Sequence, residues 1–123
     1  MPETEIIIYQ EADGSAPLIG WLDGLPSKVQ DQCVDRVKRL AECGFDLRRP
    51  LCDILGQGIY ELRAKRQNVN YRILYGFVGK SIILLSHGCS KKKKVPPREI
   101  KRAVRNIENY SRDPKGHTYA EGL

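Results

Sequence analysis

A chain of 123 residues suffices for one hydrophobic core and is too short for two. The composition is that of an ordinary globule, and the longest apolar run, Ile82 to Leu85, is strand-sized, far below the ~20 residues that span a bilayer, so a membrane protein is not expected. The opening Met1-Pro2-Glu3-Thr4-Glu5 is acidic and lacks the basic start of a secretion signal, so a cytoplasmic location is expected.

The net charge of +6 is unevenly placed. Residues 1–50 hold six Lys/Arg against nine Asp/Glu, whereas residues 51–123 hold fifteen against six. A polarised basic half points to a polyanion-binding face, with a solvated lysine-rich surface as the plain alternative. Cys33, Cys43, Cys52 and Cys89 form no C-x-x-C pair and match no zinc spacing, so free, buried or half-buried thiols are expected. No metal or small-molecule cofactor is called for.

In chain order, Thr4 to Tyr9 is β-branched and aromatic and reads as a strand. Pro17 to Leu22 reads as a short helix, with Ser15 as its cap and Leu18, Trp21 and Leu22 on one side. A longer helix starts at Ser27, where Gln30 completes a capping box, and ends at Gly44. Val29, Cys33, Val34, Val37, Leu40 and Ala41 form its buried stripe. Residues 44–58 read mostly as loop.

Ile59 to Arg63 and Tyr71 to Phe77 read as an antiparallel hairpin around a turn at residues 66–69, and Ser81 to His87 as the next strand. Pro96 and Pro97 open a last helix, whose buried stripe is Ile100, Ala103, Val104 and Ile107, extended by Tyr110. Residues 113–123 read as a flexible tail after a single domain over 1–112. The order β-α-α-β-β-β-α implies an α+β domain, with helices packed on one face of a small, mainly antiparallel sheet.

The hairpin carries the functional signal. Its turn pairs residues whose numbers sum to 135, placing Leu62 opposite Ile73 and Arg63 opposite Arg72. Like charges facing each other on a sheet repel, so an anion is expected between them. Glu61, two residues before Arg63 on the same face, is one candidate. An RNA phosphate is the other, because a guanidinium can hold two of its oxygens at once. Lys65 and Arg66 lie at the adjoining turn. Lys91, Lys92, Lys93 and Lys94, then Arg98, Lys101, Arg102 and Arg105, supply a plausible wall for a phosphate groove.

Gly58-Ile-Tyr-Glu-Leu-Arg63, Asn70-Tyr-Arg-Ile-Leu-Tyr75, Ile82-Ile-Leu-Leu-Ser-His87-Gly, Lys91-Lys92 and Pro97-Arg-Glu-Ile-Lys-Arg-Ala103 form an ordered set that resembles the RelE/ParE toxin superfamily, most of all its phage-derived HigB-like branch. The resemblance spans about residues 58–110. It implies the toxin of a type II toxin–antitoxin system, a metal-independent endoribonuclease (mRNA interferase) that cuts mRNA, usually on the ribosome, with the RNA's own 2′-hydroxyl as nucleophile. It also implies a small antitoxin partner, of helix-turn-helix type. A gyrase-directed toxin of the ParE kind and an inactive phage-derived binding module are the alternatives.

By that resemblance Arg72 stabilises charge on the phosphate, Arg63 positions it, and Lys91 and Lys92 bind flanking phosphates or assist proton transfer. Lys65, Arg66, Lys93, Lys94 and Arg98 are candidate RNA-binding residues. The chain departs from the family in holding Ile59 and Glu61 where many relatives carry basic residues. It also has Pro96 and Pro97 where some carry a proton-transferring tyrosine. His87 is the expected substitute, because imidazole titrates near neutrality. Strict alternation would put it on one face with Ile83 and Leu85.

Overall fold

The computed structural model describes residues 4–91 and 94–123, and the side chain of Lys91 lies outside that description. The strands are β1 (Glu5–Ile8), β2 (Cys52–Gly56), β3 (Ile59–Arg66), β4 (Val69–Val78) and β5 (Ile82–Lys91). The helices are α1 (Pro17–Asp23), α2 (Ser27–Cys43) and α3 (Pro97–Arg112), with short 3-10 turns at Gly44–Asp46 and Lys115–His117. One five-stranded sheet runs β1-β5-β4-β3-β2. Only the β1–β5 pairing is parallel, so the sheet is mixed and mainly antiparallel within an α+β fold.

The helices do not share one face of the sheet as expected. Ile73, Tyr75, Ile83, Leu85, Leu62 and Ile8 pack with Leu18 and Leu22 of α1 and with Val29, Cys33, Val37 and Leu40 of α2. Ile59, Leu74 and Cys89 pack instead with Ala103 of α3, and Ile7, Tyr9 and Leu84 with Tyr110. The physical reason lies in β4 and β5. Ile73-Leu74-Tyr75 and Ile83-Leu84-Leu85 are buried at every position, as in central strands covered on both sides.

Two glycines let the helices approach. A Cβ on Gly88 would lie 2.0 Å from the Trp21 ring on the α1 face, and one on Gly76 would lie 2.4 Å from Ile107 on the α3 face. Trp21 also donates from its indole nitrogen to the Ser90 hydroxyl at 3.0 Å, fixing α1 along β5.

The helix starts differ from expectation. Pro26 occupies the α2 N-cap, and the Gln30 side chain donates to the carbonyls of Leu22 and Leu25 instead of closing a capping box. Ser15 caps nothing, because its hydroxyl donates to Asp13. The segment 44–58, read as loop, contains the edge strand β2, paired with β3 through Cys52–Leu62 and Ile54–Tyr60. The tail runs back along β1. Tyr119 N–H donates to the Ile8 carbonyl, Gln10 N–H to the His117 carbonyl, and the Tyr9 and His117 rings stack at 5.3 Å. All four cysteines are free thiols, three buried and Cys43 half-buried.

The packing at Gly88 generates a direct test. Gly88→Ala, which forces a methyl into the Trp21 ring, should lose roughly 1–3 kcal/mol of stability. Gly20→Ala, on the open side of α1 with nothing within 4 Å of the new Cβ, should be neutral or gain up to about 1 kcal/mol. Urea midpoints of the two variants check this, and equal midpoints would contradict it.

Candidate functional site

The register across β3 and β4 is Arg63↔Arg72, Leu62↔Ile73 and Glu61↔Leu74, as the hairpin arithmetic requires. Tightening the turn to Gln67-Asn68 lengthens both strands without changing that sum. Gln67 takes the left-handed φ of 56° that such a turn needs. Both arginines therefore project from the α3 side of the sheet, where Arg72 pairs with Cys89 on β5.

Glu61 lies between them. Its Oε1 accepts from Arg63 Nη2 at 2.9 Å and from Arg63 Nε at 3.2 Å. Its Oε2 lies 2.5 Å from Arg72 Nε, a close ion contact without the alignment of a hydrogen bond. The carboxylate side chain is 4% exposed, that of Arg72 10% and that of Arg63 33%. The network runs outward from there. Arg63 Nη2 reaches Asp53 Oδ2 at 3.1 Å, and Asp53 Oδ1 accepts from Arg49 at 2.8 Å. The Arg49 hydrogen bond holds the Asp53 carboxyl below the usual range.

This geometry corrects the expectation of two open guanidinium groups. Arg72 is buried on the α3 side and engaged with Glu61, while Arg63 keeps an accessible edge. A buried ion pair is worth little net stability against its desolvation, yet removing one partner costs on the order of 3–5 kcal/mol, because the other charge is stranded.

His87 is also corrected. The β4–β5 register shifts between Leu74 and Tyr75, pairing Leu74 with His87 and Tyr75 with Leu85. Ser86 is the extra residue of a β-bulge, which breaks the alternation. His87 consequently leaves the side of Ile83 and Leu85 and points toward α3 with Ser86. It is 1% exposed, so its ring cannot meet a substrate directly. Asn106 Nδ2 of α3 donates to Ser86 Oγ at 2.9 Å, and Ser86 Oγ lies 2.7 Å from His87 Nδ1. Ser86 Oγ can accept from Asn106 and also donate to Nδ1 or accept from it; the tautomer that can donate toward the Glu99 carboxylate carries its hydrogen on Nε2 and takes the Ser86 hydrogen at Nδ1. That Nε2 has no hydrogen-bond partner and lies 3.8 Å from Glu99 Oε1. Burial, then the nearby Arg102, push the imidazole down to about 4, against a weaker upward pull from Glu99.

The other expected residues are dispersed. Lys65 and Arg66 are exposed beside the hairpin turn, Lys94 is exposed ahead of α3, and Arg98 is exposed in its first turn. Lys91 ends β5 with its side chain outside the described residues, and Lys92 and Lys93 lie outside them altogether. Glu99, Asn106, Ser86 and Asp53 are site residues that the sequence reading passed over. Asn106 had a visible signal, a polar residue within the apolar stripe of α3.

The neutral His87 makes stability depend on pH. The ring titrates near 4 in the fold and near 6.5 in the unfolded chain. Between those values the unfolded state binds more protons, so stability is complete above about 6.5 and falls as the pH drops toward 4. Urea midpoints at pH 7 and pH 5 should differ in the wild type by more than in His87→Gln. An equal drop in both, or a His87 ring that titrates near 6.5 by NMR, would contradict this.

Among the described residues no helix is long and apolar enough to cross a membrane. No curated protein matches the chain. The sequence model of the family described as phage-derived protein Gp49-like (DUF891) matches residues 20–108. That match takes in the end of α1, α2, the hairpin with Arg63 and Arg72, β5 and most of α3, so the chain belongs to the Gp49-like family of phage-derived proteins.

Proposed function

We propose that this protein is the toxin of a toxin–antitoxin pair, of the RelE/HigB type, and that it cuts mRNA. The observation that carries the reading is the facing pair Arg63 and Arg72 on one side of the sheet, beside the exposed Lys65 and Arg66. A phosphodiester takes the place of the Glu61 carboxylate at Arg63, the more accessible guanidinium. Arg72, held from below, faces the charge that grows on the phosphoryl oxygens, where a fixed cation acts most strongly. The ribose 2′-oxygen attacks the neighbouring phosphorus, the bond to the 5′-oxygen breaks, and a cyclic phosphate and a 5′-hydroxyl result. The 2′-proton is lost and the leaving oxygen gains one. Lys91 and Lys92 are the proposed carriers of flanking phosphate contacts, with Lys93, Lys94 and Arg98 extending the basic wall. The ribosome as the place of cutting, a cytoplasmic location and a small helix-turn-helix antitoxin belong to the same reading.

One observation favours a second reading. Glu61 is almost inaccessible and already pairs with both guanidinium groups. A protein that acts by binding alone, as a gyrase-directed toxin or an inactive phage-derived module, needs no free arginine there.

Mapping the 5′ ends of cellular mRNA after induced expression separates the two. The nuclease reading expects discrete cuts with the wild type. It expects at least a hundredfold fewer with Arg63→Ala and with Arg72→Lys, which keeps a charge beside Glu61, both with normal circular dichroism. Intact mRNA with the wild type supports the binding-only reading, and cuts that persist in both variants would remove the arginines from the mechanism.

A further inference from the structure

One face of α3 carries Arg98, Lys101, Arg102 and Arg105, spaced i, i+3, i+4 and i+7 so that they form a single stripe. Like charges at this spacing destabilise a helix, and none of the four makes an ion pair with a described residue. With Glu99 they line an open trough of about 410 Å³. A trough walled by four unneutralised cations suits a polyanion. Its single carboxylate, by contrast, weakens phosphate binding and calls for a separate explanation.

The interior supplies one. Asn106, Ser86 and His87 form a chain of side chains beneath α3 that ends at the buried Nε2, 3.8 Å from Glu99 Oε1. A shift of about 1 Å would bring that donor within hydrogen-bonding reach of the carboxylate. Such a hydrogen bond would hold one oxygen of Glu99 from below, and Glu99, its side chain 18% exposed, also lines the trough. His87 sits two residues before Cys89, the partner of Arg72, so this acceptor lies on the same side of the sheet as the arginine pair.

We propose that Glu99 accepts a hydrogen bond from a ribose 2′-hydroxyl of an RNA strand whose phosphates run along the basic stripe of α3, so that this trough distinguishes RNA from DNA. The inference rests on the RNA reading above and adds to it a residue that sets sugar specificity. His87 is a positioning residue here, acting through Glu99. The 2′-hydroxyl is the group that separates the two nucleic acids at a given site, and a hydrogen bond to a charged acceptor is strong enough to carry about tenfold in affinity.

The test compares three 12-nucleotide strands of one sequence, as RNA, 2′-O-methyl RNA and DNA, at fixed salt, with RNA integrity checked after each titration. The 2′-O-methyl strand keeps the RNA-like sugar pucker but cannot donate. RNA should bind about tenfold tighter than the other two. Glu99→Ala should bring the ratio to one while the 2′-O-methyl and DNA affinities hold or rise, because a repelling charge is gone. A merely solvated Glu99 would instead leave the ratio unchanged as all three affinities rise together, which overturns the proposal. Equal binding of the three strands by the wild type overturns it too and leaves the arginine site standing. Absence of binding to any strand overturns both this proposal and the RNA reading beneath it.

Discussion

The Glu61 carboxylate, shared between two guanidinium groups on adjacent strands, is the interaction on which the rest of this structure depends. Pairing β3 with β4 so that Leu62 meets Ile73 in the core forces Arg63 to face Arg72 on the other side. Without an anion between them that register would be penalised. With Glu61 in place the apolar face and the charged face are both satisfied. The same carboxylate ties the hairpin to β2, because Arg63 extends from Glu61 to Asp53.

On the proposed reading such a cluster is poised rather than inert. Glu61 is nearly inaccessible, but Arg63 presents an edge to solvent, and the exposed Lys65 and Arg66 follow it on the same hairpin. A phosphate arriving there meets one guanidinium already oriented and a second held in reserve. Charge held in a partly dry setting acts more strongly on a reacting phosphate than the same charge in water. The cost of that arrangement is the desolvation of Arg72 and Glu61 on the α3 side of the sheet.

Much of the charged face was legible in the sequence, because antiparallel pairing turns a turn position into a register. The identities of β4 and β5 as central strands were also written in their unbroken apolar runs, Ile73 to Tyr75 and Ile82 to Leu85, although those runs imply cover on both faces and the helices were expected on one. The orientation of His87 was not legible. A bulge at Ser86 depends on what α3 offers to the freed side chains, namely Asn106 and Glu99, and alternation along one strand carries no such information. The edge strand β2 was hidden for a different reason: it is five residues long and ends in Gly56, with Gly58 just beyond, a composition that reads as turn. Pro26 stands at the α2 N-cap in place of the expected Ser27, and the Gln30 side chain donates to the carbonyls of Leu22 and Leu25.

The central claim is that a phosphodiester can replace the Glu61 carboxylate at Arg63 while Arg72 stays in place. Nitrogen-15 NMR of the arginine Nε–H groups, followed as a 2′-O-methyl RNA strand is titrated in, tests it most directly. The account predicts a large, saturable shift at Arg63, a smaller one at Arg72, and a matching change at the Glu61 carboxyl carbon. Saturable binding detected elsewhere on the protein, with all three signals unmoved, would contradict it.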